Sequence, residues 1–140
     1  MYTYTYERRL HWSECDPAGI IYFPVYARWV SEGLNQLFLD NGINPNAITD
    51  NSMVGLPAVA LSMKFHSAPK LHEMVTHTIT AERLGSKSLA FKHQFHSNGQ
   101  LLMEAEDTRI WTTHTLGQPD TLKSAEIPPQ MRALLEHDNA

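Results

Sequence analysis

Cysteine is almost missing from this chain: Cys15 is the only one in 140 residues. No disulfide can close within it, and a lone thiol fits a reducing compartment, with the cytoplasm as the expectation. No stretch approaches the ~18 consecutive apolar residues of a membrane-crossing helix. The opening Met1-Tyr2-Thr3-Tyr4-Thr5-Tyr6 lacks the cationic segment and apolar run of a secretory leader. There is no block of basic residues either. Lys and Arg number 11 against 15 Asp and Glu, a formal charge of −4. Nucleic acids and anionic membranes are held by clustered cations, so neither is expected as a partner, while a local cationic pocket for a small anion stays open. Phosphate loop, dinucleotide fingerprint and serine-hydrolase elbow are all absent. The eight histidines lack ligand geometry. His93 and His96, three apart on an expected strand, face opposite ways, and His66, His72 and His77 have no compact spacing. They read as core or surface imidazoles, with neither metal nor cofactor expected.

What is present is a chain 42% hydrophobic and 19% charged, enough for one domain over residues 1–140 that buries roughly two thirds of its unfolded surface. The first segment alternates, with Tyr4, Tyr6, Leu10 and Trp12 against Thr3, Thr5, Glu7, Arg9 and His11, the period of a half-buried strand. A loop, Ser13-Glu14-Cys15-Asp16-Pro17-Ala18-Gly19, interrupts it. From Pro24 the period changes. Tyr26, Trp29, Val30, Gly33, Leu34, Leu37 and Phe38 trace the apolar stripe of a long amphipathic helix, with Pro24 suited to its first turn and Asn41-Gly42 to its end. Four further strands follow, carrying the rows Val59/Leu61/Met63/Phe65, Val75/His77/Ile79/Ala81, Leu89/Phe91/His93/Phe95 and Met103/Ala105/Trp111. The facing of the last is ambiguous, with room for a bulge. Asn98-Gly99 is a hairpin turn, and the tail after Gly117 offers at most a short helix. The layout is α+β: a long helix across a mainly antiparallel five-stranded sheet. One helix covers one face, so self-association is expected to cover the other.

Asp16 is the most suggestive residue for chemistry. It sits just ahead of a helix N-terminus, where free N–H groups and the helix dipole can hold a carbonyl oxygen or a developing oxyanion. The Phe23 backbone N–H is the candidate donor, since Pro24 has none. A carboxylate beside such a site is the minimal apparatus for attacking an activated acyl carbon, as nucleophile or by deprotonating water. The bland alternative is an Asx turn before Pro17. Cys15 has no partner histidine nearby and reads as a loop thiol.

The run His11-Trp12-Ser13-Glu14-Cys15-Asp16-Pro17-Ala18-Gly19-Ile20-Ile21-Tyr22-Phe23-Pro24-Val25-Tyr26-Ala27-Arg28-Trp29 closely resembles the start of the 4-hydroxybenzoyl-CoA thioesterase family, whose members have the hotdog fold. Weaker matches follow in order at Met53-Val54-Gly55-Leu56-Pro57 and Gly85-Ser86-Lys87-Ser88, and the likeness spans roughly Glu7 to Thr113. The resemblance implies a hotdog fold, a catalytic carboxylate at Asp16, and a thioester carbonyl polarised at the N–H of Phe23. It also implies coenzyme A phosphates contacted by Lys87 and Ser88, with Arg83 nearby, often across a subunit interface. Set against that, Arg83 and Lys87 read equally well as solvated loop charges. Many relatives carry a Tyr-His pair where this chain has Tyr22-Phe23, a departure that points toward the aryl-CoA branch.

The acyl pocket is expected from Tyr22, Trp29 and the helix face at Ser31 and Glu32, although Tyr22 and Trp29 serve equally well as core. Ser31 is a weaker partner for an acyl hydroxyl than a carboxylate would be. The expected reaction is hydrolysis of an aryl- or medium-chain acyl-CoA to a carboxylate and coenzyme A by a homo-oligomer, a dimer or a homotetramer built as a dimer of dimers. Two rivals stay open: a hydrolase acting on acyl groups borne by acyl carrier protein, and a non-catalytic acyl-CoA binding protein. Hydratases of the same fold need a helix histidine, and none lies between Pro24 and Asn41.

Overall fold

The computed structural model describes residues 1–139. Strand β1 (Thr3–Arg9) and a 3-10 turn (Trp12–Glu14) lead to α1 (Pro24–Asp40). Then come β2 (Ile48–Thr49), β3 (Ser52–Gly55), β4 (Ala58–Phe65), β5 (Met74–Leu84), β6 (Ser88–Ser97), β7 (Gln100–Ile110), β8 (Thr112–Thr115), β9 (Gln118–Ser124) and α2 (Pro129–Glu136). The expected five-stranded sheet is present, wholly antiparallel, in the order β1-β5-β6-β7-β4. One helix on one sheet is nevertheless too simple. A second sheet, β2-β3-β8-β9, and the helix α2 also form among the described residues. Their sequences were unreadable by period because most of β2 and β9 is solvent-exposed on both faces.

The helical stripe is buried as its spacing requires: Tyr26, Trp29, Val30, Gly33, Leu34, Leu37 and Phe38 face the sheet. Asn41 caps the helix and Gly42 turns it off at φ +75°. Beneath α1 the core divides in two. Tyr26, Trp29 and Val30 pack with Val75, Phe95 and Met103 under its first half. Leu34, Leu37 and Phe38 pack with Ile79, Phe91, Trp111 and the α2 residues Met131 and Leu135 under its second. Between the two lies Gly33, where helix and sheet come so close that a Cβ would stand 2.4 Å from the His77 ring.

Two rows differ from their expected facing. Trp12 leaves the β1 alternation for the 3-10 turn and is exposed. On β4 the row Val59, Leu61 and Phe65 is largely exposed, because β4 is an edge strand with β7 on one side only. The ambiguity of β7 resolves through a register irregularity against β6 at Phe95/His96. Met103, Ala105, Asp107 and Arg109 then all face inward. No helix among the described residues is long and apolar enough to cross a membrane.

Candidate active site

The Asp16 loop is a miniature hairpin. Tyr22 N–H donates to Glu14 O at 2.9 Å, Cys15 bridges Ile21, and Asp16 N–H donates to Ile20 O at 3.0 Å. The turn closes with Gly19 N–H on Asp16 O at 2.9 Å, and Gly19 supplies the φ of +78° that this geometry needs. Buried Glu14 ties the hairpin to the helix. Its carboxylate accepts from the Trp29 indole at 2.8 Å, from Arg28, and from the His11 backbone N–H at 3.0 Å. Burial pushes this carboxyl up, but the His11, Trp29 and arginine partners outweigh it and leave the group below the usual carboxylate range. Glu14 therefore stays charged and anchors the loop ahead of α1, a role that sequence reasoning missed. The cue was an acid in a loop fifteen residues before a stripe tryptophan, too long an interval for local rules.

Asp16 is half-buried. Its Oδ1 accepts from Ala18 N–H at 2.8 Å, so the Asx turn is real. Its second oxygen has no partner among the described residues, so anchoring and chemistry divide between the two atoms. Phe23 N–H also has no acceptor among the described residues, at the mouth of a 17-residue helix that opens on Pro24. In the hairpin register Asp16 pairs with Ile20, three residues before Phe23 in the chain. Next to Asp16, burial and the Asp16 and Glu14 charges raise the Cys15 thiol, which disfavours the nucleophilic thiolate.

Aromatic surface surrounds this end of α1. Tyr22 and Phe23 are more than half exposed, and Phe65 on β4 meets Phe23 edge-on at 6.3 Å between centroids. Trp29 is placed elsewhere: it is fully enclosed, stacked with Phe95 and covered by the Arg8 guanidinium. It faces the core, away from Tyr22 and Ser31. Ser31 and Glu32 lie farther along α1 and line a cavity of about 320 Å³ with Asn35, Leu56 and Arg109.

Arg83, Lys87 and Ser88 sit at the β5–β6 turn, with Arg83 and Lys87 exposed. The Asp16 loop docks at the opposite end of β5, through Ile20 on Lys70 and Leu71 N–H on Gly19 O. An 11-residue strand spans about 33 Å. Within one chain, then, the two groups stand at opposite ends of the sheet.

Beneath α1 lies a buried polar chain that the sequence did not reveal. His77 Nδ1 meets Tyr6 OH at 3.1 Å, His77 Nε2 meets His93 Nδ1 at 2.8 Å, and His93 Nε2 meets Asp107 Oδ2 at 3.2 Å. Arg109 Nε donates to Asp107 Oδ1 at 2.8 Å. Burial first, then the neighbouring ring and Arg8, push His77 far down; burial also holds His93 below its usual value despite Asp107. Burial works to raise Asp107, but the His93 and Arg109 contacts prevail and keep it low. The available cue was period 2: two charges, Asp107 and Arg109, fall in the inward row of β7 opposite the histidine rows of β5 and β6.

Residues 10–135 match the family model described as the thioesterase-like superfamily. This chain belongs to that superfamily. Among curated members, 4-hydroxybenzoyl-CoA thioesterase of Pseudomonas sp. (strain CBS-3) is 25% identical over 131 residues, covering 89% of this chain and 91% of that protein. The 1,4-dihydroxy-2-naphthoyl-CoA hydrolase of Crocosphaera subtropica is 23% identical over 97 residues, covering 69% and 71%. Among solved members, a mutant 4-hydroxybenzoyl CoA thioesterase complexed with 4-hydroxybenzoyl CoA superposes with a TM-score of 0.82 at 23% identity, over 95% of this chain and 98% of that one. A gentisyl-coenzyme A thioesterase superposes at 0.80 with 21% identity, over 94% and 99%.

Proposed function

We propose that the chain hydrolyses an acyl-CoA thioester with an aryl or medium-length acyl group, using Asp16 and the backbone N–H of Phe23. The observation that carries this reading is the pairing of the free Asp16 oxygen with the free Phe23 N–H at the start of α1. The N–H and the helix dipole polarise the thioester carbonyl and take up the negative charge of the tetrahedral intermediate. Asp16 either adds to the carbonyl carbon, expelling the thiolate and leaving an acyl anhydride that water opens, or removes a proton from the water that attacks. Both routes give one carboxylate, one coenzyme A thiol and one released proton. Sulfur leaves readily and a thioester carbonyl has little resonance protection, so this pair suffices. Single turnover in ¹⁸O-water tests for the anhydride: label entering Asp16 requires it, whereas label confined to the product follows both from the base route and from an anhydride opened at the acyl carbon, which trapping of an acyl-enzyme with hydroxylamine then separates.

Two observations support a site shared between copies. Arg83, Lys87 and Ser88 lie about 33 Å along β5 from the Asp16 loop, too far to serve as the phosphate grip of their own chain's site. Strand β4 leaves an open edge beside Phe23, with Val59, Leu61 and Phe65 exposed, a surface of the kind that association covers. A homodimer joined along β4, or a tetramer of such dimers, brings one chain's Arg83, Lys87 and Ser88 toward the other's Asp16. The single cysteine agrees with work in the cytoplasm.

Steady-state release of coenzyme A from benzoyl, phenylacetyl, short and long acyl thioesters tests the reaction. At least one aryl or medium thioester should turn over, and Asp16→Asn should lower kcat by roughly 10²–10⁴. Tight binding with no turnover would instead make the chain a binding protein. Turnover confined to acyl carrier protein thioesters would make the carrier its substrate.

A further inference from the structure

The two arms of the Asp16 hairpin are held in different ways. The returning arm is docked by its backbone: Ile21 N–H donates to Pro69 O at 3.3 Å and Leu71 N–H to Gly19 O at 3.1 Å. Tyr22 N–H then donates to Glu14 O, and the chain enters the first turn of α1, where Val25 N–H meets Tyr22 O at 2.9 Å and Tyr26 N–H meets Phe23 O at 3.1 Å. Among the described residues the outgoing arm, 13–16, makes no backbone hydrogen bond to α1, and its side-chain hydrogen bonds to that helix all run through Glu14.

Glu14 is only 4% exposed and both its carboxylate oxygens are engaged. Oε1 accepts from the His11 backbone N–H at 3.0 Å. Oε2 accepts from Trp29 Nε1 at 2.8 Å and from Arg28, and the Arg8 guanidinium of β1 stands 3.9 Å from it. Trp29 offers a rigid anchor, stacked with Phe95 at 6.0 Å between centroids and with Arg8 at 4.4 Å over its ring. The surrounding charge is balanced two against two. Glu14 and Glu32 share Arg8 and Arg28, with Glu32 at 3.1 Å from the first and 3.8 Å from the second. Without the Glu14 charge both arginines have only the more exposed Glu32 to face, and the enclosed indole N–H loses its acceptor. Enclosed and fully engaged, the Glu14 carboxylate cannot itself reach a substrate.

We propose that Glu14 is a positioning residue for the reaction: its side chain ties the arm that carries Asp16 to α1 and so sets where the free Asp16 oxygen stands relative to the Phe23 N–H. This rests on the proposed hydrolysis by Asp16 and adds a residue to it. Asp16 lies two residues beyond Glu14, so slack in the tie is passed directly to the carboxylate, and a misplacement of about 1 Å can cost as much as 10²-fold in rate.

The test is a double-mutant cycle in steady-state kinetics, with the thioester that turns over fastest. Glu14→Gln is nearly isosteric, but its amide has one acceptor oxygen where the carboxylate has two, so it cannot serve His11 and Trp29 together. It should lower kcat by about 10- to 100-fold with KM changed by less than about twofold. In the Asp16→Asn background the same substitution should cost less than about threefold, because no carboxylate is left to misplace. Arg28→Gln, at a half-exposed position outside the core, should lower kcat in the same direction by a smaller factor. An equal loss in both backgrounds marks a plain stability residue, and a loss confined to KM marks a binding one; either overturns the inference, as does an unchanged kcat. Where Asp16→Asn leaves too little turnover to measure, or wild type has none and the proposed reaction fails separately, amide hydrogen exchange decides. The Asp16 and Tyr22 amides of Glu14→Gln should then exchange about tenfold or more faster than in wild type, with the β5 and β6 amides unchanged. No acceleration, or one shared equally with β5 and β6, overturns the inference.

Discussion

His77 has no exposed surface, and its ring is held from both sides by Tyr6 and His93. Folding keeps both buried imidazoles neutral, while in the unfolded chain they titrate near the ordinary histidine value of about 6.5. The unfolded state then binds more protons below that pH, so stability is full above about 6.5 and falls as the pH drops. The slope is at most ~1.4 kcal/mol per pH unit for each histidine. Thermal melts between pH 7.5 and 5 should show this decline well before Glu14 and Asp107, whose folded values are depressed, begin to lose their own contribution below about pH 4. His77→Asn should flatten the pH 5–7 slope by about one proton. An unchanged slope would mean that the ring carries a proton in the fold. At this scale the sequence was legible where a residue's partners are its neighbours in the chain: the Asp16 Asx turn, the Gly19 bend and the Asn98-Gly99 turn, both of whose residues have positive φ. It was silent on Asp107 and Arg109, because their partners lie on other strands and only the β6–β7 register brings them together.

Helix α1 shows the same division at the level of an element. Its stripe needed only a 3.6-residue period, and every residue read as buried is buried. The reason Gly33 belongs to that stripe was invisible, because it depends on what lies across from it. A Cβ there would stand 2.4 Å from His77 Cε1 and 2.9 Å from Tyr6 OH, and neither ring can swing aside without breaking the chain of hydrogen bonds. Gly33→Ala should therefore destabilise the protein by up to about 2 kcal/mol, an overpacking cost of about 1–3 kcal/mol less the ~1 kcal/mol that alanine gains in a helix. Chemical denaturation reads this directly, and a more stable variant would show that the helix can lift at no cost. Strand β4 illustrates the limit in the other direction. Its alternation was correct as a pattern, yet the expected inner face meets solvent, because a period gives the spacing of a row and not what covers it.

For the whole molecule, the open β4 edge and the length of β5 make separate demands that the proposed second copy would meet. Leu61→Lys on β4 should leave the fold intact, since Leu61 is exposed, while shifting the protein toward monomer in analytical ultracentrifugation and lowering thioesterase activity with it. A dimer that survives Leu61→Lys would place the interface elsewhere. A shared site also makes mixtures informative. On the proposed site, Asp16→Asn removes the carboxylate and Arg83→Ala/Lys87→Ala removes the phosphate grip, so each variant alone should be weak. Refolded together in equal amounts, half the random dimers hold one chain of each kind and one of their two sites complete, so about a quarter of wild-type activity should return. Mixtures no better than their components would mean that each chain supplies its own grip. On the proposed shared site, strand β5 holds the two halves apart within every chain. A copy that has lost its own chemistry is then still a useful neighbour, and two different inactivating mutations can compensate each other in one cell where two copies of either cannot.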